Sequence, residues 1–129
     1  SKDLYNLGLS NQNMQRNLYV DNDGGNTSFL DFGSKNSKMV ESKTLDSFDF
    51  KQRIKLLKID AEGFEPEVLE GSFNTLKNIE FVSVDFGAER GVNQETTIVN
   101  VNNILLDANY SLIEFSKHRL IGLYKNMKF

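Results

Sequence analysis

A chain of 129 residues, 39% hydrophobic and 26% charged, has the make-up of one soluble globular domain able to bury its own core. Its net charge of −3, with only four basic residues in the densest stretch (Lys51 to Lys58), lacks the footprint that nucleic-acid backbones require. The absence of cysteine excludes disulfides, thiolate metal sites and cysteine nucleophiles, and it accords with a reducing compartment. No apolar run approaches the roughly 20 residues of a membrane span. The opening SKDLYNLGLS lacks the apolar stretch of a signal peptide. These features predict a cytoplasmic domain without membrane or nucleic-acid partners.

Residues 1–44 are rich in Asn, Ser, Asp and Gly, with short apolar pieces at Leu4 to Leu9, Leu18 to Val20, Phe29 to Phe32, and Met39 with Val40. They predict two or three short strands. The run Asp21-Asn22-Asp23-Gly24-Gly25-Asn26 reads as a hairpin loop, since these residues tolerate positive φ. Thr44 to Phe50 suggests a short helix with Thr44 as N-cap. Ile54 to Asp60 (IKLLKID) is a near-continuous apolar run, which predicts a strand buried on both faces of a parallel sheet.

Pro66, the only proline, suits the first turn of a following helix, where its missing N–H costs nothing. Glu65, Glu67 and Glu70 lie near the positive end of that helix, and Val68, Leu69, Phe73 and Leu76 form its apolar stripe. Gly71 weakens it. Ile79 to Phe86 is a second strand, closed by Gly87. Gln94 to Ala108 is a second helix, with Ile98, Val101, Ile104 and Leu105 on one face and Asn109 as its stop. Tyr110 to Phe115 and Leu120 to Tyr124 make a hairpin around Ser116-Lys117-His118-Arg119. Phe48, Phe50, Phe73, Phe81 and Phe115 fall at core positions rather than on a stacking surface.

Strands alternating with helices imply a parallel sheet, and the closing hairpin adds an antiparallel strand near its end. The fold class expected is α/β: a partial Rossmann-like layer, mostly parallel, with a C-terminal antiparallel hairpin. It forms one domain over 1–129, with 1–44 as a strand- and turn-rich segment and 45–129 as the α/β part. In such sheets ligands gather beyond the carboxyl ends of the strands. Asp60 and Glu62 then follow one strand, and Asp85, Glu89 and Arg90 follow its neighbour, so all five face one crevice. Asp60 and Glu62 alternatively close the strand and steady the turn. Glu65 reads as a helix-start residue and Lys58 as half of an ion pair. Arg90 is read either as a binder of an anionic substrate group or as a partner of Glu89. One histidine (His118, in the hairpin connection) and no cysteine make zinc improbable, and no G-x-S-x-G elbow, P-loop or EF-hand pattern is present.

Three stretches resemble the FkbM-type methyltransferase family. Thr44-Leu45-Asp46 leads into Lys58-Ile59-Asp60-Ala61-Glu62-Gly63-Phe64-Glu65 and then Val68-Leu69-Glu70-Gly71, similar to the family's TLD, KID-x-EG-x-E and VL-x-G. Val84 to Gly91 and Arg119 to Asn126 are similar to its later strands. The resemblance implies the C-terminal half of an S-adenosylmethionine-dependent O-methyltransferase acting on a hydroxyl of a sugar or other small metabolite. Asp60 and Glu62 would be catalytic, and Asp85, Glu89 and Arg90 would bind the substrate. Methylating a hydroxyl requires a base or an acidifying metal, so Asp60 is also a candidate Mg²⁺ ligand.

The family's glycine turn and second-strand acid, which hold the donor, have no counterpart here; Gly24-Gly25 follows Asp21-Asn22-Asp23 rather than an apolar strand. The expectation is therefore a truncated chain, weak or inactive alone, with the strand at 54–60 open at a sheet edge. Such an edge implies that the chain homodimerises, that residues 1–44 fold over it, or that the chain is a fragment of something larger, with truncation and self-association the favoured reading. The alternative is a non-catalytic association module that uses the same edge.

Overall fold

The computed structural model describes residues 2–23 and 25–129; Gly24, half of the glycine pair noted above, lies outside them. Two four-stranded sheets organise the chain. The first takes up the N-terminal segment: β1 (Gly8–Leu9), β2 (Met14–Val20), β3 (Thr27–Ser28) and β4 (Asn36–Lys43), in the order β1-β4-β2-β3. β2 and β4 pair antiparallel from Met14↔Ser42 to Val20↔Asn36, and β1 lies parallel to β4. The turn at Asp21 to Asn26 does connect antiparallel strands, closed by Asp21 N–H donating to Asn26 O (3.0 Å). Phe29 to Phe32, read from sequence as an apolar strand piece, is instead a bend whose Phe29 ring packs edge-on against Phe64 at 5.4 Å.

Thr44 caps a short 3₁₀ turn, Leu45–Phe48, accepting from Ser47 N–H. The second sheet follows: β5 (Ile54–Ile59), β6 (Ile79–Asp85), β7 (Tyr110–Ser116) and β8 (Ile121–Asn126), in the order β5-β6-β8-β7. Two helices, α1 (Glu65–Glu70) and α2 (Ile98–Asp107), make the crossovers and pack on one another. β5, β6 and β7 run in one direction and β8 enters antiparallel between β6 and β7, so the sheet is mixed: β5 and β6 are its hydrogen-bonded parallel pair, and β7 and β8 form the C-terminal antiparallel hairpin. The core draws on one face of this sheet and on both helices: Ile59, Val82, Val84 and Tyr124 meet Val68, Leu69, Val101 and Leu105.

β5 is the edge strand that the missing neighbour predicts, but the burial on both faces suggested by its composition is not found: Leu56 is 52% exposed and Lys55 and Lys58 lie outward. An apolar run reports low polarity but not what lies beside it. The aromatic assignments need the same correction. Phe73 is 65% exposed because α1 stops at Gly71 and the chain turns before another helical face forms. Phe50 and Phe115 are also exposed, and Phe48 and Phe81 are half-buried; the aromatic residues that fill the core are Phe64, Phe86, Tyr110 and Tyr124. α2 begins four residues later than Gln94, because Arg90 and Glu95 form an isolated antiparallel bridge in the connection.

Candidate functional site

The site lies at the carboxyl ends of β5 and β6. Immediately after β5 the chain reverses through two left-handed residues, Glu62 (φ 49°) and Gly63 (φ 91°). A non-glycine residue in this region is strained, and such strain concentrates where a fold aims a side chain. Gly63 is required twice over. Besides its φ, a Cβ there would stand 2.5 Å from the Arg90 Cα.

Glu65 holds this reversal from below. Buried to 1% exposure, its Oε1 accepts from the Ala61 and Gly63 N–H groups (3.1 and 2.9 Å), and its Oε2 accepts from the Thr97 hydroxyl at the start of α2 (2.9 Å). Burial pushes its pKa up, and these hydrogen bonds oppose the rise. Arg90 holds the reversal from the side. It donates to Gly63 O and makes a two-pronged pair with Glu67 (2.9 and 2.6 Å). The guanidinium is therefore committed to the loop and not to Glu89. The Ser28 hydroxyl, from the first sheet, donates to Glu62 O (2.9 Å) and ties the hairpin to the same turn.

Four carboxylates meet above this frame. Asp60 is 44% exposed at its side chain and pairs with Lys58 at 3.4 Å, the ion pair expected for that lysine. Asp85 accepts from Gly87 N–H (2.9 Å). Glu89 folds back over Gly87 and lies against Glu62. Its pKa is pushed up to about 7, first by burial, then by its hydrogen bond with Glu62 and by the charges of Glu62, Asp85 and Asp60. The Glu62 Oε2 is shut off from solvent and meets no protein donor. The neighbouring carboxylate of Glu62 thus favours the protonated form of Glu89.

Sequence reasoning brought Asp60, Glu62, Asp85 and Glu89 together, and the structure does so. It missed the Glu62–Glu89 pairing, the Thr97 and Glu67 contacts, and the work of Asp46. The Asp46 carboxylate accepts from the Asn74 and Thr75 N–H groups and the Thr75 hydroxyl, capping the 3₁₀ turn Thr75–Asn78. The one available signal for Asp46 was its place in the TLD pattern. The Mg²⁺ role expected of Asp60 finds no support: among the described residues no group of three or more His, Asp or Glu side chains stands ready to hold a metal ion. Lys58 occupies Asp60, while Glu62 and Glu89 face each other.

A cavity of about 430 Å³ opens beside Asp60, between β5 and the first sheet. Leu7, Leu18, Phe29, Val40, Leu57 and Phe64 wall it; Asp60 is its sole carboxylate, and Lys38 and Lys58 stand among its polar residues.

A strand–helix–strand layer with acidic groups gathered past its strand ends defines an α/β domain, the class in which ligands are held beyond the strand ends. A family model described as the methyltransferase FkbM domain matches residues 2–112, and the chain belongs to that family. The matched region ends before β8, so the Arg119 to Asn126 stretch lies outside it. Comparison with curated proteins found no match, and comparison with solved structures found none. Among the described residues no helix is long and apolar enough to cross a membrane.

The family implies S-adenosylmethionine as donor. The residues present do not fit it fully. The β5 edge carries no neighbouring strand with a glycine turn among the described residues, and the cavity offers a cationic sulfonium two lysines against one carboxylate.

Proposed function

We propose that this chain forms the acceptor side of an S-adenosylmethionine-dependent O-methyltransferase whose substrate is a small molecule bearing a hydroxyl. The observation that carries the reading is the convergence of Asp60, Glu62, Asp85 and Glu89 at the ends of two adjacent strands, in a chain of methyltransferase family. Asp60, the most open of the four, receives the hydroxyl in a hydrogen bond and orients it. Glu89 takes up the proton that the hydroxyl gives up, which a carboxyl poised near pH 7 does well. Asp85 fixes the Gly87 turn and adds to the negative field that raises Glu89. Arg90 belongs to the frame and is left out of the substrate set.

Two measurements test this. Calorimetric titration with S-adenosylmethionine is expected to show binding weaker than micromolar; micromolar binding would overturn the incomplete donor seat. With donor in large excess and a labelled methyl group, residual transfer to hydroxyl acceptors is expected to fall at least about 100-fold in Asp60→Asn. Unchanged transfer in that variant would remove Asp60 from the chemistry.

A second reading, association of two copies through the β5 edge, is favoured by the exposure of Leu56. Centred two-fold pairing of Ile54–Ile59 with itself would set Lys55 opposite Lys58 of the other copy, a like-charge contact that weakens it. Light scattering across a range of concentrations decides between monomer and dimer.

A further inference from the structure

The strand pairing sets a basic hairpin tip at the same end of the sheet as the carboxylates. In register, Ile121 of β8 lies opposite both Asp85 of β6 and Ser116 of β7. The connection Lys117 to Leu120 therefore projects past the carboxyl end of β6. The ladder runs one step further, where Phe86 N–H donates to Leu120 O (2.8 Å). The next position of that register sets Arg119 toward Gly87, over which Glu89 folds. Leu120 anchors the tip by packing against the core, and it does so at φ 50°, a conformation that bulky side chains rarely adopt.

Lys117, His118 and Arg119 are exposed, and among the described residues neither Lys117 nor Arg119 enters an ion pair. The cations nearer the carboxylates are committed, Lys58 to Asp60 and Arg90 to Glu67. An anionic group carried into the crevice would meet Asp60, Glu62 and Asp85, and like charges at close range repel. Such a group needs a free cation at the rim. Two stand within three residues at the tip, which suits the several oxygens of a phosphate or carboxylate. Lys38, in the cavity beside Asp60, is the rival seat, but it stands singly because Lys58 is taken by Asp60.

We infer that the hairpin tip seats an anionic group, phosphate or carboxylate, of the hydroxyl-bearing acceptor, with Lys117 and Arg119 as the residues that select for it. The inference rests on the acceptor-side reading above and adds a charge requirement to the substrate.

Titration of the whole chain with glycerol 3-phosphate, glycerate and glycerol, followed by backbone amide shifts, tests the seat without any methyl transfer. Saturable shifts at Lys117 to Leu120 that extend to Gly87 and Glu89 are expected with glycerol 3-phosphate or glycerate, the tighter of the two naming the anion. Glycerol is expected to produce none. Replacing both cations, Lys117→Ala with Arg119→Ala, is expected to weaken the anion at least about tenfold, since charge-assisted hydrogen bonds are lost. Lys117→Gln with Arg119→Gln serves should the first pair fold poorly, and Lys38→Ala is expected to bind as the unaltered chain does. Glycerol binding as tightly as the anions, shifts confined to the tip, undiminished binding in a folded double variant, or loss in Lys38→Ala instead would each overturn the seat. Failure of transfer in the labelled-methyl assay would count against the methyltransferase role and leave this result standing.

Discussion

Glu65 and Glu89 are both carboxyl groups raised by burial, yet their environments give them opposite tasks. Glu65 has a donor for each oxygen, so it serves geometry. Removing it in Glu65→Ala strands two backbone N–H groups and a buried hydroxyl, for a loss of roughly 2–3 kcal/mol in urea denaturation. Glu65→Gln keeps a carbonyl oxygen for the two N–H groups, and Thr97 can accept from the new amide, so a loss under about 1 kcal/mol is expected. Glu89 has a carboxylate as its neighbour, and in the proposed chemistry it exchanges the proton. Its folded pKa of about 7 lies above the ordinary 4.5, so between those values the folded chain holds a proton that the unfolded chain has released. Its contribution to stability is therefore full below pH 4.5 and is lost as pH rises through 7. Denaturation midpoints measured from pH 5 to 8 are expected to fall with pH, and to fall less steeply in Glu89→Gln. The convergence of Asp60 and Asp85 was readable from the sequence because strand ends collect ligands by rule. The Glu62–Glu89 pair was not, because it depends on a left-handed Glu62 and on a side chain folding back over Gly87, which no spacing encodes.

At the level of elements, the motif glycines limit how long each piece can run. α1 ends after six residues where Gly71 passes under the first sheet, and a Cβ there would stand 2.0 Å from Ser10 O. Gly71→Ala favours helix by propensity, yet it is expected to destabilise by more than about 2 kcal/mol, since the blocking atom is backbone. Thermal or urea unfolding reads this directly. From residue 54 onward the order of strands and helices was legible, because apolar periodicity is strong there and each element has a clear stop. The N-terminal segment was harder. β4 (NSKMVESK) is largely exposed and polar, and β2 (MQRNLYV) groups its apolar residues at one end instead of alternating them, so their pairing leaves little mark on hydrophobic pattern. The status of β5 as an edge was legible only through the family resemblance, since it depends on what the strand lacks as a neighbour. Leu56→Glu is expected to leave stability within about 1 kcal/mol, as that side chain is half exposed, and to suppress any concentration-dependent association in light scattering.

Across the molecule, two sheets of unlike character are joined by a few specific ties. Ser28 reaches Glu62 O, Asn11 donates to Glu70 (3.0 Å), and the Phe29 ring meets Phe64. Phe29→Ala removes the largest apolar tie and is expected to quicken hydrogen exchange across β2 and β4 far more than across β6 and β8. Equal quickening in both sheets would show that they unfold as one unit.

The strand order β5-β6-β8-β7 places the latest strand to be synthesised inside its sheet. Until residue 126 has cleared the ribosome, β6 has only β5 as a partner and β7 has none. This sheet therefore closes only once β8 is available to pair with both neighbours. A stop codon at Leu120 would take away the central ribbon and leave the polypeptide to cellular proteolysis.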